Sequence, residues 1–380
     1  MLWLALKMLF HEKVRLLITL LGVTVSAILT LIEVAIYLGM MGNATALIRH
    51  TDADLWITSR NIQTFDFALP FPAARIDRVR ALPQVLWAEK LLLSWGYLKL
   101  PAGGREQVQI IGYDPDTGIG APWAMAEGTP AAVKGGNYMI LDRTSGQRLG
   151  RLETGTLWEL DFVNTKYSFK LTGLSDGIKS FTTAPIVFMS YNRLSRFFAD
   201  AGWQDQTAFI VAKAKPGADV AAIARALRAA LRDNDVFTRD EFIHKTVHYW
   251  TVQTGMGMAF FLTALLAMII GGAIVGQTIY ASTLEHLREY GTLKAIGAKN
   301  REIYQVILSQ AALSAAAGFV LAAVLVLLVR GAIESAGVPL YFSPALFAAV
   351  FLVVLVSCLA AAYFSVSKIR TLDPVSVFKA

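Results

Sequence analysis

Residues 284–302 read LEHLREYGTLKAIGAKNRE, a charged, helix-prone stretch held between two long apolar segments, residues 255–280 and 303–329. Each flanking segment exceeds the roughly 20 residues that a helix needs to cross the hydrocarbon of a bilayer. The stretch is therefore predicted to be a short loop tethered at a membrane face. Two more apolar runs, residues 16–41 and 342–364, are long enough to cross as well, so the chain is expected to span four times.

Composition agrees with this setting. Hydrophobic residues make up 55% of the 380 positions, charged residues 17%, and the mean hydropathy is +0.50, well to the apolar side of a soluble domain. Short flanks rich in lysine and arginine stay in the cytoplasm. Lys7, Lys13 and Arg15 precede the first run; Arg288, Lys294, Lys299 and Arg301 lie in the quoted loop; Lys368, Arg370 and Lys379 follow the last run. Both termini and the loop are expected to be cytoplasmic.

The layout predicted from these signals has a cytoplasmic amphipathic N-terminus (1–15), a first span (16–41) and a large domain outside the membrane with stalk helices (42–254). A second span (255–281), the cytoplasmic loop (282–302), a third span (303–330), a short outer turn (331–341), a fourth span (342–367) and a cytoplasmic tail (368–380) follow. The expected fold class is thus an α-helical membrane protein, with an α+β periplasmic domain inserted between the first and second of four transmembrane helices. A cleaved signal peptide is the competing reading of the first run, which is too long for an h-region and is read as a retained anchor. Residues 1–12 are read either as an amphipathic surface helix or as an extension of the first span.

Within the inserted domain, residues 53–59 alternate like a strand, and residues 73–82 have helical periodicity stopped by Pro83. Strands over 85–100 and 106–113 are predicted to form a hairpin through Pro101, Ala102, Gly103 and Gly104. Residues 138–174 read as a small β subdomain inserted between two α/β portions. The later portion has strands at 185–189 and 207–214, each followed by a helix, 191–199 and 219–232. A last strand at 236–238 leads into a helix from residue 239, expected to run unbroken into the second span as a rigid stalk.

Chemistry-bearing motifs are sparse. No G-x-x-x-x-G-K-[ST] occurs, and the nearest imitation, GLSDGIKS at 173–180, has Ile178 where lysine should follow Gly177. His244 and His248 share a helix face at i, i+4, but Lys245 stands where a metalloprotease has glutamate, and a polar stalk face is the simpler reading. There is no G-x-S-x-G elbow, and Asp114 and Asp116 read as turn residues. The single cysteine, Cys358, falls in the fourth span and reads as a small buried hydrophobe. No metal or cofactor of its own is expected for the chain. No basic run interleaved with aromatics suggests nucleic-acid binding despite the net charge of +7.

Two intramembrane features have paired readings. Glu33 is an acid inside a span, costly in hydrocarbon, and is read either as a substrate-sensitive site or as a packing position satisfied by a polar neighbour such as Gln277. Gly271, Gly272 and Gly276 include a G-x-x-x-G from Gly272. It lets helices approach closely, either between two copies of the chain or within one.

The loop sequence REYGTLKAIGA, with Arg288, Glu289, Gly291, Leu293, Lys294, Ile296 and Gly297, resembles the signature of the FtsX and MacB type of ABC transporter permease, also called type VII. Its position after the second of four spans agrees, as does the DPV of Asp373, Pro374 and Val375 in the tail. The resemblance implies a multi-pass protein of the bacterial inner membrane, with the loop as a coupling helix on a separate cytoplasmic ATPase subunit that carries ATP and Mg. It also implies an assembly of two permeases and two ATPases. Leu284, Leu287, Leu293 and Ile296 would seat in a groove of that subunit, Arg288, Glu289 and Lys294 would fix register, and Gly291 and Gly297 would allow close backbone approach.

DADLW at 52–56 and IGYDP at 111–115 look like the DevC branch of this family, which works with a periplasmic adaptor and an outer-membrane duct. That branch implies mechanotransmission: ATP-driven closure moves the stalks and outer domains, which push a lipid, peptide or small toxic compound out through the adaptor. A lipoprotein- or lipid-extracting permease and a transmembrane regulator of cell-wall hydrolases are alternatives within the family. A membrane-anchored enzyme is the alternative outside it.

Overall fold

The computed structural model describes residues 2–162 and 165–369; the DPV at 373–375 lies outside the described residues. The chain begins with α1 (Leu2–His11) and α2 (Lys13–His50). It continues through β1 (Leu55–Ser59), β2 (Phe71–Pro72), α3 (Ile76–Arg80), β3 (Val85–Lys99), β4 (Arg105–Tyr113), β5 (Met125–Glu127), β6 (Tyr138–Asp142) and α4 (Gly146–Leu149). Next come β7 (Leu157–Phe162), β8 (Thr165–Ser175), β9 (Ile186–Ser190), α5 (Tyr191–Asp200), β10 (Gln206–Thr207), β11 (Phe209–Ala214), α6 (Val220–Ala230), β12 (Asn234–Thr238) and α7 (Arg239–His248). The last helices are α8 (Met256–Glu285), α9 (Leu287–Ala295), α10 (Asn300–Ser335) and α11 (Pro344–Ile369). Two compact units result, one of residues 39–256 and one from the residues before and after them.

In the second unit α2, α8, α10 and α11 carry stretches long and apolar enough to cross a membrane. Their mutual contacts repeat about every fourth residue, as side chains on one helix face must. The buried set includes Val23, Ala27, Leu31 and Ala35 on α2, Val275 and Ile279 on α8, Ala311, Ala315, Phe319, Ala322 and Val326 on α10, and Val350, Val354, Cys358 and Ala362 on α11. The opposite faces expose Leu17, Leu21, Val25 and Leu29 of α2 and Phe261, Leu265 and Ile269 of α8, as lipid-facing helices do. Hydroxyls join the helices where small residues let them meet. Ser26 Oγ donates to the Ala267 carbonyl at 2.7 Å and Ser365 Oγ to that of Gly276 at 2.8 Å. Such bonds contribute roughly 0.6 kcal/mol each in a bilayer. α1 is a helix of its own, separated from α2 at Glu12.

The inserted domain is built on one sheet ordered β12-β1-β11-β3-β4-β9-β6-β8-β5, with β7 bridging β3 and β8. β1 is buried along its length, so its alternation separates two cores rather than core from water. Leu55 and Ile57 face α3 and α6 with Ile76, Val79, Ile223 and Leu227. Trp56 faces the other way, packed edge-on against Phe65 and Phe209 and tilted against Phe242 of α7. α6 starts where Asp219 accepts the amides of Ala221 and Ala222, and α7 starts in a capping box of Thr238 and Glu241.

The expected hairpin forms as β3 and β4, with Gly103 and Gly104 both at φ +92 in the turn. The β portion differs from the expectation of a separate inserted subdomain. β6 pairs with β9, and β7 with the far end of β3, so these strands extend the same sheet. The reason is the length of β3. Its first half pairs with β11 and its second half with β4, so one 15-residue strand carries both halves.

The helix expected to run unbroken from residue 239 into the second span is interrupted. α7 passes into a π-helical turn at Tyr249–Gln253, and Gly255 takes φ +73 before α8 begins, a conformation that glycine reaches without strain. Trp250 accounts for the interruption: its ring stacks on Phe181 with centroids 3.6 Å apart, which pins the chain to the domain. Across the break, Thr254 Oγ accepts the amide of Met256, the first residue of the new helix. α2, by contrast, runs without a break from residue 13 to residue 50, and its Leu47 and Ile48 belong to the core of the inserted domain.

Candidate functional site

α8 ends at Glu285, a single residue, His286, intervenes, and α9 begins at Leu287. α9 is fastened to the bundle by Tyr290, which is buried in its core. Gly291 lies within α9; the chain leaves it at Ile296 and turns at Gly297, whose φ of +107 calls for glycine. Lys299 then caps α10, its amide held by the Glu302 carboxylate at 2.9 Å.

Ile296 is 80% exposed, and Leu284, Arg288 and Glu289 are exposed too. The backbones of Leu287, Leu293 and Lys294 are helical in α9. A short helix with exposed charged side chains, flanked by the exposed apolar Leu284 and Ile296 between two spans, can dock into a groove of another protein.

The glycines of α8 divide by direction. A Cβ on Gly271 would lie 2.5 Å from Ser26 Cβ, and one on Gly276 would lie 3.3 Å from Ser365 Oγ, both within this one chain. A Cβ on Gly272 would meet nothing within 4 Å. Glu33 is half-buried on α2 and forms no hydrogen bond or ion pair with a described residue. Gln277, the suggested neighbour, is exposed and borders a cavity with His11, Arg15 and Ile18. Glu33 lies four helical turns further along α2, roughly 22 Å beyond Ile18 at 1.5 Å per residue, so Gln277 does not serve it.

His244 and His248 are exposed on α7, and no group of three or more His, Cys, Asp or Glu side chains placed to hold a metal occurs among the described residues. Ile178 of the GLSDGIKS stretch is buried, its amide bonded to Asp142 Oδ2 at 2.8 Å, with Ser175 Oγ on the same oxygen. That loop is therefore built around Asp142 as structure.

Sequence reasoning missed Asp66, which lies buried beside the π-helical turn. Gln109 Nε2 donates to one carboxylate oxygen at 3.2 Å and Trp250 Nε1 to the other at 3.4 Å. Burial pushes its carboxyl up from 3.8 to about 6, partly offset by these bonds. An acid whose value is raised on folding stabilises the fold while protonated and loses that contribution as pH climbs. The inserted domain is thus expected to lose up to about 3 kcal/mol between roughly pH 4 and pH 7. Asp66→Asn, neutral at every pH, is expected to remove this fall and to raise the domain's stability at pH 7.5 by about 2 kcal/mol. Native-state hydrogen exchange of the β4 amides in the full chain measures it, and an unchanged slope in the variant refutes the assignment.

Comparison with known proteins completes the picture. Residues 16–230 match the MacB-like periplasmic core domain and residues 261–374 the FtsX-like permease C-terminal. Two Mycobacterium tuberculosis proteins named uncharacterized ABC transporter permease, from strains CDC 1551 / Oshkosh and H37Rv, are each 24% identical over 331 residues, 86% of this chain and of theirs. Among solved structures, the periplasmic region of MacB from Actinobacillus actinomycetemcomitans aligns with 50% of this chain and 90% of its own at 12% identity and TM-score 0.37. The extracellular domain of the noncanonic ABC-type transporter YknZ from Gram-positive bacteria aligns with 49% and 98% at 9% identity and TM-score 0.36.

Four apolar helices with a periplasmic α+β domain inserted after the first define a multi-pass permease subunit of the inner membrane. The chain belongs to the FtsX/MacB family of ABC transporter permeases.

Proposed function

We propose that this chain is the membrane subunit through which a separate cytoplasmic ATPase, carrying ATP and Mg, drives movement of the periplasmic domain. The observation that carries the reading is Ile296, 80% exposed just past α9, together with Tyr290 of α9 locked into the bundle: a partner pressing on α9 moves the helices it is fastened to. In this reading the termini and α9 are cytoplasmic, two copies assemble with two ATPases, and α2 is the lever. Its 38 residues make a rod of about 57 Å, ending among core residues of the periplasmic domain. The interrupted connection through Gly255 acts as the joint. Export through an adaptor and an outer-membrane duct, as in the DevC branch, is the use proposed for such a lever, and it needs no tunnel through the spans.

One observation favours the lipid-extracting reading as well: an apolar groove of about 430 Å³ between α2 and α8, lined among others by Leu21, Val25, Leu29 and Ile270. Purification of the tagged chain from its native membrane, with mass spectrometry of what accompanies it, separates the readings. An ATPase with a periplasmic adaptor is the expected result. A periplasmic lipoprotein carrier selects lipid extraction, a cell-wall hydrolase regulator selects the transducer, and recovery without any ATPase overturns the permease mechanism.

A further inference from the structure

The two helix junctions at one end of the membrane unit are joined by a polar network. Glu12 sits in the break between α1 and α2, and His286 is the single residue between α8 and α9. They meet directly: His286 Nε2 lies 2.9 Å from Glu12 Oε1, while His286 Nδ1 lies 3.1 Å from Glu289 Oε2 on α9. Arg15, the third residue of α2, donates to Glu12 Oε2 at 2.5 Å and to Glu285 Oε1, the last residue of α8, at 2.7 Å.

The centre of the network is set apart from ordinary surface pairs by its shielding, while Glu285 and Glu289 at its edge are each 64% exposed. The side chains of Glu12, Arg15 and His286 are only 20%, 22% and 14% exposed. Ion pairs so sheltered are less screened by salt than exposed ones, and the arginine fork addresses two carboxylates at once. Glu12 is also the one acid in the first 32 residues, placed in a segment whose other charges are basic. Nothing in the membrane-spanning pattern asks for it there.

Helices α2 and α8 leave this end toward the periplasmic domain by different routes, the first continuous and the second interrupted at Gly255. A push on α9 reaches α8 through one residue of main chain. It reaches α2 through no main chain at all, only through packing and this network.

We propose that Glu12, Arg15 and His286 are positioning residues that clamp the α1–α2 junction to the α8–α9 junction, so that displacement of α9 is delivered to the continuous lever α2. The inference rests on the reading of α9 as the ATPase-coupling segment. It assigns α1 a part in coupling, since a clamp at Glu12 moves α1 and α2 together.

The test uses the full permease with the ATPase that co-purifies with it. Spin labels at Arg60→Cys and Arg301→Cys, both exposed positions, report the ATP-dependent change in distance between the periplasmic domain and the start of α10. Arg15→Glu and Glu285→Arg alone are each expected to keep the ATPase bound and hydrolysing. Each should reduce the labelled movement by about fivefold, the scale of coupling between contacting charges. The double variant Arg15→Glu/Glu285→Arg again sets opposite charges across the two helices and is expected to recover most of the movement, which a merely structural loss would not do. Arg15→Lys, which keeps the charge and loses the fork, should fall between if either reversal prevents insertion. Wild-type movement in the single variants, or a double variant as impaired as the singles, overturns the clamp. Absence of any bound ATPase in the unmutated protein defeats the coupling reading instead.

Discussion

Ile296→Asp is expected to abolish association with the ATPase while leaving the permease folded and inserted. The side chain is 80% exposed at the end of α9, so an aspartate there meets water in the free chain and costs the permease little. In the proposed complex the same side chain enters an apolar seat. Burying an unpaired carboxylate costs several kcal/mol, and about 4 kcal/mol corresponds to roughly a thousandfold in affinity. Pull-down of the ATPase from membranes holding equal amounts of each permease measures it. Unchanged recovery would remove Leu284, Leu287, Arg288, Glu289, Gly291, Leu293, Lys294, Ile296 and Gly297 as the coupling surface together, because Ile296 is its most exposed apolar member among the described side chains.

The second large effect separates two adjacent glycines. Gly271→Leu is expected to disrupt the membrane unit, since even its Cβ would fall 2.5 Å from Ser26 Cβ and 2.6 Å from Ser26 Oγ. Relief requires α2 and α8 to part, which breaks the Ser26 to Ala267 bond and costs about 3 kcal/mol as overpacking. Gly22, whose Cβ would meet Ile274 Cγ2 at 2.5 Å, marks the same contact one turn away. Gly272→Leu faces open space and is expected to leave the monomer intact. Folded, monodisperse protein from both variants would contradict the α2–α8 contact. For Gly272→Leu the informative readout is oligomeric state: a lost dimer places the second copy on this face of α8, and a retained dimer places it elsewhere.

These two residues also show what the sequence could and could not tell. The G-x-x-x-G at Gly272 and Gly276 was visible, and so was the close approach it permits. Which glycine faces a neighbour depends on the rotation of α8 against α2, and a one-helix pattern contains no such angle. The four spans were legible because hydrocarbon thickness sets a length that apolar runs either meet or fail. Strands such as β1 and β11 were legible from alternation and turn residues, and the α9 segment from its motif. The single sheet was not legible, because β3 reads as one strand whether its two halves serve one partner or two. Asp66 looked like an ordinary acid in FDFALPF; its burial comes from Gln109 and Trp250, which lie 43 and 184 residues away. Glu12 and His286 are 274 positions apart, and only the packing of α2 against α8 brings them together. The interruption before α8 is not legible, because nothing local marks Gly255 for positive φ and the Trp250 ring stacks on Phe181, 69 residues earlier in the chain.

The sheet order also governs how this protein can be made. β1 emerges directly after the first span, yet both of its ladder partners, β11 and β12, lie more than 150 residues later in the chain, Phe209 being 154 positions beyond Leu55. At about 5 to 20 residues synthesised per second, LWITS waits roughly 8 to 30 s with both edges unpaired. During that interval it is an open template for any passing strand. Biogenesis of this domain therefore depends on the order in which its parts arrive, and the newborn domain is at greatest risk of aggregation until the last quarter of residues 39–256, which holds β11 and β12, has been translated.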